Sequence, residues 1–211
     1  MLKRIALEVP VGDATWPGIF AMPALPMGLI VLVGLPEAEG RDRGLAALFQ
    51  RQGFATLVLN MAGASASDAI LGERLARALD VIVARDLHHG LPMGLSAGET
   101  ASAAALIAAA RRPAVVKAVA LLGARVDPAL EELASVRAPT LLVVGSSDLA
   151  LVRSMREAGR VLLAKHEVAL ISGARHQLDQ PGVLEETAVL CGRWFSRHFV
   201  ADALRPRYAT L

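Results

Sequence analysis

The stretch Gly90-Leu91-Pro92-Met93-Gly94-Leu95-Ser96-Ala97-Gly98, which runs on into the alanine-rich segment ending at Ala110, decides the reading of the fold. The short run from Gly90 to Leu95 predicts a strand, and the small residues from Ala97 to Ala110 predict a helix able to lie close against a sheet. At their junction Gly94-Leu95-Ser96-Ala97-Gly98 spells G-x-S-x-G. In that context the pattern predicts a tight turn that lifts the Ser96 hydroxyl above the sheet edge. The same turn would aim the Ala97 N–H and the helix N-terminus at developing negative charge. A glycine-flanked N-cap serine gives the same string without the chemistry.

Outward from this junction, short apolar runs alternate with longer helical patterns, the signature of an α/β fold with a mostly parallel sheet. Ile5–Val9 and Gly18–Met22 read as an antiparallel hairpin at one sheet edge. Gly28–Val33 is apolar on both faces, as a central parallel strand requires. Asp42–Gln52 reads as a helix stopped by Gly53, and Ala55–Asn60 as the next strand. Asp68 to about Arg85 carries Leu71, Leu75, Ala78, Leu79 and Ile82 at helical spacing. Val115–Leu122, Thr140–Val144 and His166–Ile171 are three further buried strands, and Val183–Phe199 is a closing amphipathic helix. No repeat or linker divides the chain, so residues 1–211 are read as one domain.

Composition narrows the function. The chain has 211 residues, 54% hydrophobic and 20% charged, enough to bury a large core. Its net charge of +2 is spread without basic blocks, and it has eight aromatic residues, five Phe, two Trp and one Tyr. Both facts argue against a nucleic-acid-binding surface. The single cysteine, Cys191, excludes an internal disulfide and a multi-cysteine zinc site, and it falls on the apolar stripe of the last helix as a packed thiol. There is no uninterrupted apolar run of transmembrane length, and a charge comes too early for a signal peptide. A cytoplasmic protein with no membrane association is expected. A homodimer is left open.

A serine hydroxyl is a poor nucleophile near neutral pH and needs a base, which in turn needs an orienting acid. Asp148 follows the Thr140–Val144 strand, and His176 follows the His166–Ile171 strand, both at the carboxyl edge where α/β sheets bind ligands. The order Ser96, Asp148, His176 is the one this type of fold requires. Asp127, after the Val115–Leu122 strand, competes as the acid. His88 and His89 lie at the opposite sheet edge and offer no third ligand at metal spacing, so no metal is expected.

With these residues placed, the chain resembles an α/β-hydrolase of the dienelactone hydrolase-like group, and in particular the small lidless hydrolases found joined to phosphoribosyltransferase domains. The more specific pieces are Val9-Pro10-Val11-Gly12, Gly53–Leu59, Ala138–Gly145, and Gly173-Ala174-Arg175-His176 with Gln180-Pro181-Gly182. The resemblance implies an eight-stranded, mostly parallel sheet with helices on both faces and no cap domain. It implies Ser96 as nucleophile, Asp148 as acid and His176 as base in acyl transfer from a small ester or thioester, with no cofactor. Dienelactone hydrolases proper use cysteine where this chain has serine.

One stretch departs from the group. Where such hydrolases carry a His-Gly pair after the third strand, this chain reads Gly34-Leu35-Pro36-Glu37. Pro36 has no N–H to donate, which leaves Leu35 and Ala97 as the candidate oxyanion donors. Losing one such donor costs about 2.7–4 kcal/mol, so the alternative is a degenerate, noncatalytic binding protein. Arg125 aligns with an arginine the group often shows and is a candidate for holding an acidic substrate group. A surface pair with Asp127 is the plainer reading of that residue.

Overall fold

The computed structural model describes residues 2–61, 66–99, 101–124, 130–174, 178, 180 and 182–203. In chain order they form β1 (Lys3–Pro10), β2 (Thr15–Met22), β3 (Leu29–Gly34), α1 (Glu39–Arg51), β4 (Ala55–Asn60), α2 (Asp68–Ala84), β5 (Met93–Gly98), α3 (Ala101–Arg111), β6 (Val116–Leu122), α4 (Leu130–Leu133), β7 (Thr140–Gly145), α5 (Leu149–Val161), β8 (His166–Ile171) and α6 (Val183–Ala203). A short 3-10 turn, Pro36–Ala38, leads into α1.

The strands make one eight-stranded sheet in the order β1-β2-β4-β3-β5-β6-β7-β8. Only β2 runs against its neighbours, β1 and β4; the remaining pairs are parallel. β3, β5 and β7 are buried along their whole length, because helices cover both faces of the sheet there. One face packs on α2, α3 and α5 through Leu75, Leu79, Ala104, Leu106 and Met155. The other packs on α1 and α6 through Phe49, Phe54, Phe195 and Phe199. There the Phe49 ring meets Phe54 and Phe195 edge-on at 6.3 and 6.2 Å between centroids, the arrangement aromatic quadrupoles favour. No separate cap domain interrupts this arrangement among the described residues.

Helix stops and starts follow local chemistry. α1 ends before Gly53, which takes a left-handed φ of 88° that its side-chain-bearing neighbours avoid. Ser67 opens α2 by accepting from the Ile70 N–H. α5 is the helix the sequence reading leaves out. Its buried residues Val152, Met155, Ala158 and Gly159 recur at helical spacing, and Asp148 caps it by accepting from the Leu151 N–H at 2.9 Å.

One boundary is corrected, and it sits at the deciding stretch. The strand expected to stop at Leu95 continues to Gly98, and the helix expected from Ala97 begins at Ala101. Ser96 and Ala97 are therefore ladder residues: Ser96 is level with Leu32 and Ala120, and Ala97 with Val33 and Leu121.

Candidate active site

Ser96 lies inside β5 and is 2% exposed. Leu95 and Ala97 belong to the α2/α3 core, whereas Leu32 and Ala120, the partners of Ser96, belong to the α1/α6 core. Side chains alternate along a strand, so the hydroxyl faces the α1/α6 layer and not the rim of the sheet. The flanking glycines have packing causes. A Cβ on Gly94 would come 2.5 Å from the Phe195 ring, and one on Gly98 would collide with the Arg41 guanidinium. The string that spells a nucleophile turn is thus a strand squeezed between a phenylalanine and an arginine.

The turn itself is three residues further on. Glu99 follows the last residue of β5 and has φ +46°, the left-handed region. Its N–H donates to Leu122 O at 3.0 Å, and its carbonyl accepts from Ser102 N in the first turn of α3 at 3.2 Å. These bonds hold a non-glycine residue in a conformation costing of order 1–3 kcal/mol, which persists only where the surroundings impose it. The residues around Glu99, Ala97-Gly98-Glu99-Thr100-Ala101, repeat the small-x-centre-x-small spacing with glutamate at the centre. Thr100 itself lies outside the described residues.

Glu99 does not stand alone. Arg41, in the first turn of α1, donates from Nη1 to Glu99 Oε1 at 3.1 Å, and from Nε and Nη2 to Asp42 Oδ1 at 3.2 Å each. The Arg41 and Asp42 side chains are 8% and 6% exposed, against 35% for Glu99. The Asp42 carboxylate rests on the backbone of Gly34, at the end of β3. Burial pushes the Asp42 carboxyl up to about 6; the Arg41 charge opposes this and the Glu99 charge adds to it. One cation and two carboxylates therefore fill the rim between β3 and β5. Sequence reasoning missed all three residues. The signal that could have found them is the alanine run, whose natural start at Ala101 places the junction at Glu99.

The other expected residues divide. Ala97 is 2% exposed and sits in the β5 ladder, level with Val33. Leu35 lies just past β3; extending the β3–β5 register by two residues sets it level with Glu99. Asp148 lies at the carboxyl edge as expected, two strands from β5, with one carboxylate oxygen engaged in capping α5. Its loop is tied to the segment after β8: Gly173 N donates to Ser146 Oγ at 2.9 Å and Ser147 N to Ala174 O at 3.3 Å. His176, Arg125 and Asp127 lie outside the described residues. Ser96 and Asp148 are not brought together. Ser96 is level with Leu141, four residues below the end of β7, or about 13 Å at a rise of about 3.3 Å per residue.

The remaining candidates are structural. Cys191 is fully buried, and burial pushes its thiol up to about 12. His88 is half-buried beside Asp86, at 3.6 Å, and His89 is exposed. A cleft of about 340 Å³ lies between β1–β2, the end of β4 and the start of α1, lined by Ala6, Glu8, Ile19, Glu39, Val58 and Asn60 among others.

The fold is that of the α/β-hydrolases, and comparison with known proteins agrees. A solved dienelactone hydrolase from Anabaena variabilis superposes with a TM-score of 0.87 at 30% identity, over 94% of this chain and 99% of that one. Est1E from Butyrivibrio proteoclasticus superposes with a TM-score of 0.78 at 15% identity, over 92% of this chain and 99% of its own, and bears on the fold alone. Two curated proteins from strains of Mycobacterium tuberculosis, provisionally named phosphoribosyl transferases, are 32% identical over 208 residues. That match takes in 93% of this chain and 47% of theirs, so the chain spans about half the length of these relatives. No protein-family model matches the chain. The chain belongs to the dienelactone hydrolase-like α/β-hydrolases, a family of hydrolases. No helix among the described residues is long and apolar enough to cross a membrane.

Proposed function

We propose that this chain keeps the hydrolase fold but does not run serine acyl transfer, and that the group its elbow presents to a ligand is the Glu99 carboxylate. The observation that carries this reading is the exchange of places. Glu99 stands on the left-handed turn between β5 and α3, bonded to a buried arginine, while Ser96 is buried in the strand below. Acyl transfer by Ser96, Asp148 and His176, with Ala97 and Leu35 as oxyanion donors, needs the serine at the rim. The Arg41 cation is already divided between two carboxylates, which leaves it little capacity to stabilise an oxyanion. A small ligand entering here meets the second oxygen of Glu99 as a hydrogen-bond acceptor, so a hydroxyl or ammonium group is the chemistry it would recognise.

A fluorophosphonate probe with intact-mass readout tests the reading. The folded protein is expected to stay unlabelled at neutral pH and to turn over short p-nitrophenyl esters and acyl thioesters no faster than its Ser96→Ala variant. An adduct on Ser96 that disappears in Ser96→Ala and His176→Ala overturns the reading and reinstates the triad.

One observation favours a second reading, a hydrolase with a carboxylate nucleophile. Arg41 bonds only Oε1 of Glu99, the side chain is about one-third exposed, and a carboxylate needs no base to become anionic. Glu99 would attack a carbon electrophile and form an ester as the leaving group departs with its electron pair. Water deprotonated by His176 would then add to the ester carbonyl, the acyl carbon–oxygen bond would break, and the departing alcohol would take the proton from His176 as the carboxylate is restored. Turnover in 18O-water separates the two: oxygen-18 in the Glu99 peptide supports the nucleophile, and an unlabelled peptide supports binding alone.

A further inference from the structure

We propose that β1 is a self-complementary edge through which two copies of this chain pair, antiparallel and centred on Ala6, to continue one sheet through both subunits. β1 is the terminal strand of the sheet, and its outer side has no strand partner among the described residues. Lys3, Arg4, Ile5, Ala6 and Glu8 are exposed, with Ile5 at 41%. An eight-residue open edge is a standing template for another strand, which natural proteins either block or use.

The pleat restricts how two copies can meet. In a continuous antiparallel sheet, directly opposed residues share a face, and a two-fold axis along the sheet normal therefore pairs positions of like parity. With the axis at Ala6, Arg4 of each copy lies opposite Glu8 of the other, and Ile5 lies opposite Leu7. Both oppositions occur twice, so the register forms two charge pairs on the α1 side of the sheet and two apolar pairs on the α2 side. Moving the axis by one residue to Ile5 sets Lys3 against Leu7 and Arg4 against Ala6, and no charge is matched. The far edge of the sheet offers no equivalent. On β8, registers centred on Glu167, Val168 or Ala169 set Glu167 against Glu167, Ala169 or Ile171, and its charge already faces Arg197 at 3.9 Å.

The backbone is oriented for this pairing. Arg85 Nη1 donates to the Glu8 carbonyl at 3.3 Å, and Arg85 is the residue that ends α2, not one of the neighbouring strand. Glu8 therefore turns its carbonyl away from β2, and Ala6 and Arg4, two and four residues earlier, turn theirs the same way. A carbonyl has two lone pairs, so Glu8 can accept a cross-copy N–H while keeping Arg85. The charges that discourage unrelated strands are satisfied by a second copy of this one.

Sedimentation equilibrium across micromolar to hundred-micromolar concentration tests the inference. The wild-type protein is expected to form a reversible dimer. Arg4→Glu or Glu8→Arg alone places like charges opposite one another twice and weakens the dimer about tenfold. The double variant Arg4→Glu with Glu8→Arg restores it to within about threefold. Ala6→Pro, which removes an outward N–H on an edge strand, abolishes dimerisation while the circular dichroism spectrum stays unchanged. A wild-type monomer throughout, a dimer indifferent to the single reversals, or a double variant weaker than both singles overturns it.

Discussion

Replacing Asp42 by asparagine isolates the electrostatics of the elbow cluster. The asparagine keeps an Oδ1 acceptor for Arg41 Nε and Nη2 but cannot titrate. In the folded chain burial pushes the Asp42 carboxyl from its ordinary 3.8 up to about 6. The folded state therefore holds this proton more tightly than the unfolded chain does. The resulting stability is fully present below about pH 3.8 and is lost as the pH rises through about 6. At about 1.4 kcal/mol per pH unit, the gap between the two values is worth roughly 3 kcal/mol. Urea unfolding at pH 4, 5, 6 and 7 should show the stability of wild type minus that of Asp42→Asn falling by about this amount across the series. The Arg41 attraction is already contained in that shift, and any difference in how the neutral amide packs adds an offset but not this slope. A difference that stays flat, or rises with pH, refutes the reasoning.

Other consequences can be checked with single variants. Glu99→Gln removes the like charge that helps raise Asp42, so the pH-dependent step in stability should move to lower pH; an unmoved step would contradict the contact. Gly94→Ala drives a methyl into the Phe195 ring, with no room behind it, and should cost about 1–3 kcal/mol in chemical denaturation; a neutral effect would contradict the packing given for β5. His198 packs at a tilt against Trp194, 4.3 Å between ring centroids, and burial, aided by Lys165 and Arg197, lowers its pKa from 6.5. Its contribution is present above pH 6.5 and lost as the pH falls. His198→Phe should therefore lose less thermal stability between pH 7.5 and 5 than wild type does, and an equal loss would count against it.

Most of the architecture was legible because period and burial agree. Ala55–Asn60 coincides with the buried β4, whereas His166–Ile171 matches β8 in its bounds but is mostly exposed or half-buried, because it ends the sheet and is not the buried strand its apolar run predicts. α2 shows its buried face at 71, 75, 78, 79 and 82, as its spacing predicts. α5 was harder to see, because its apolar residues Val152, Met155 and Ala158 are few and are interleaved with Arg153, Arg156 and Arg160. The G-x-S-x-G string centres the junction on Ser96, three residues before the left-handed turn at Glu99. Gly94 and Gly98 are small because Phe195 and Arg41 lie against them, and those residues are 101 and 57 positions away in the chain. A glycine required by a distant neighbour and a glycine required by a strained turn look alike in one sequence. Arg41 is equally hidden, since nothing local marks an arginine in α1 as the partner of a glutamate after β5.

Which side chain stands on the rim can be read directly by placing a thiol at each position. Cys191 supplies the internal control, being fully buried with its thiol pushed up to about 12. Native Ser96→Cys and Glu99→Cys variants are to be followed with an aromatic disulfide reagent at pH 7.5. At position 99 the new thiol lies beside the Arg41 guanidinium, which favours the reactive thiolate. The account predicts one rapidly reacting thiol in Glu99→Cys and none in Ser96→Cys until denaturant is added. Rapid reaction in Ser96→Cys, with Glu99→Cys as silent as Cys191, would contradict it.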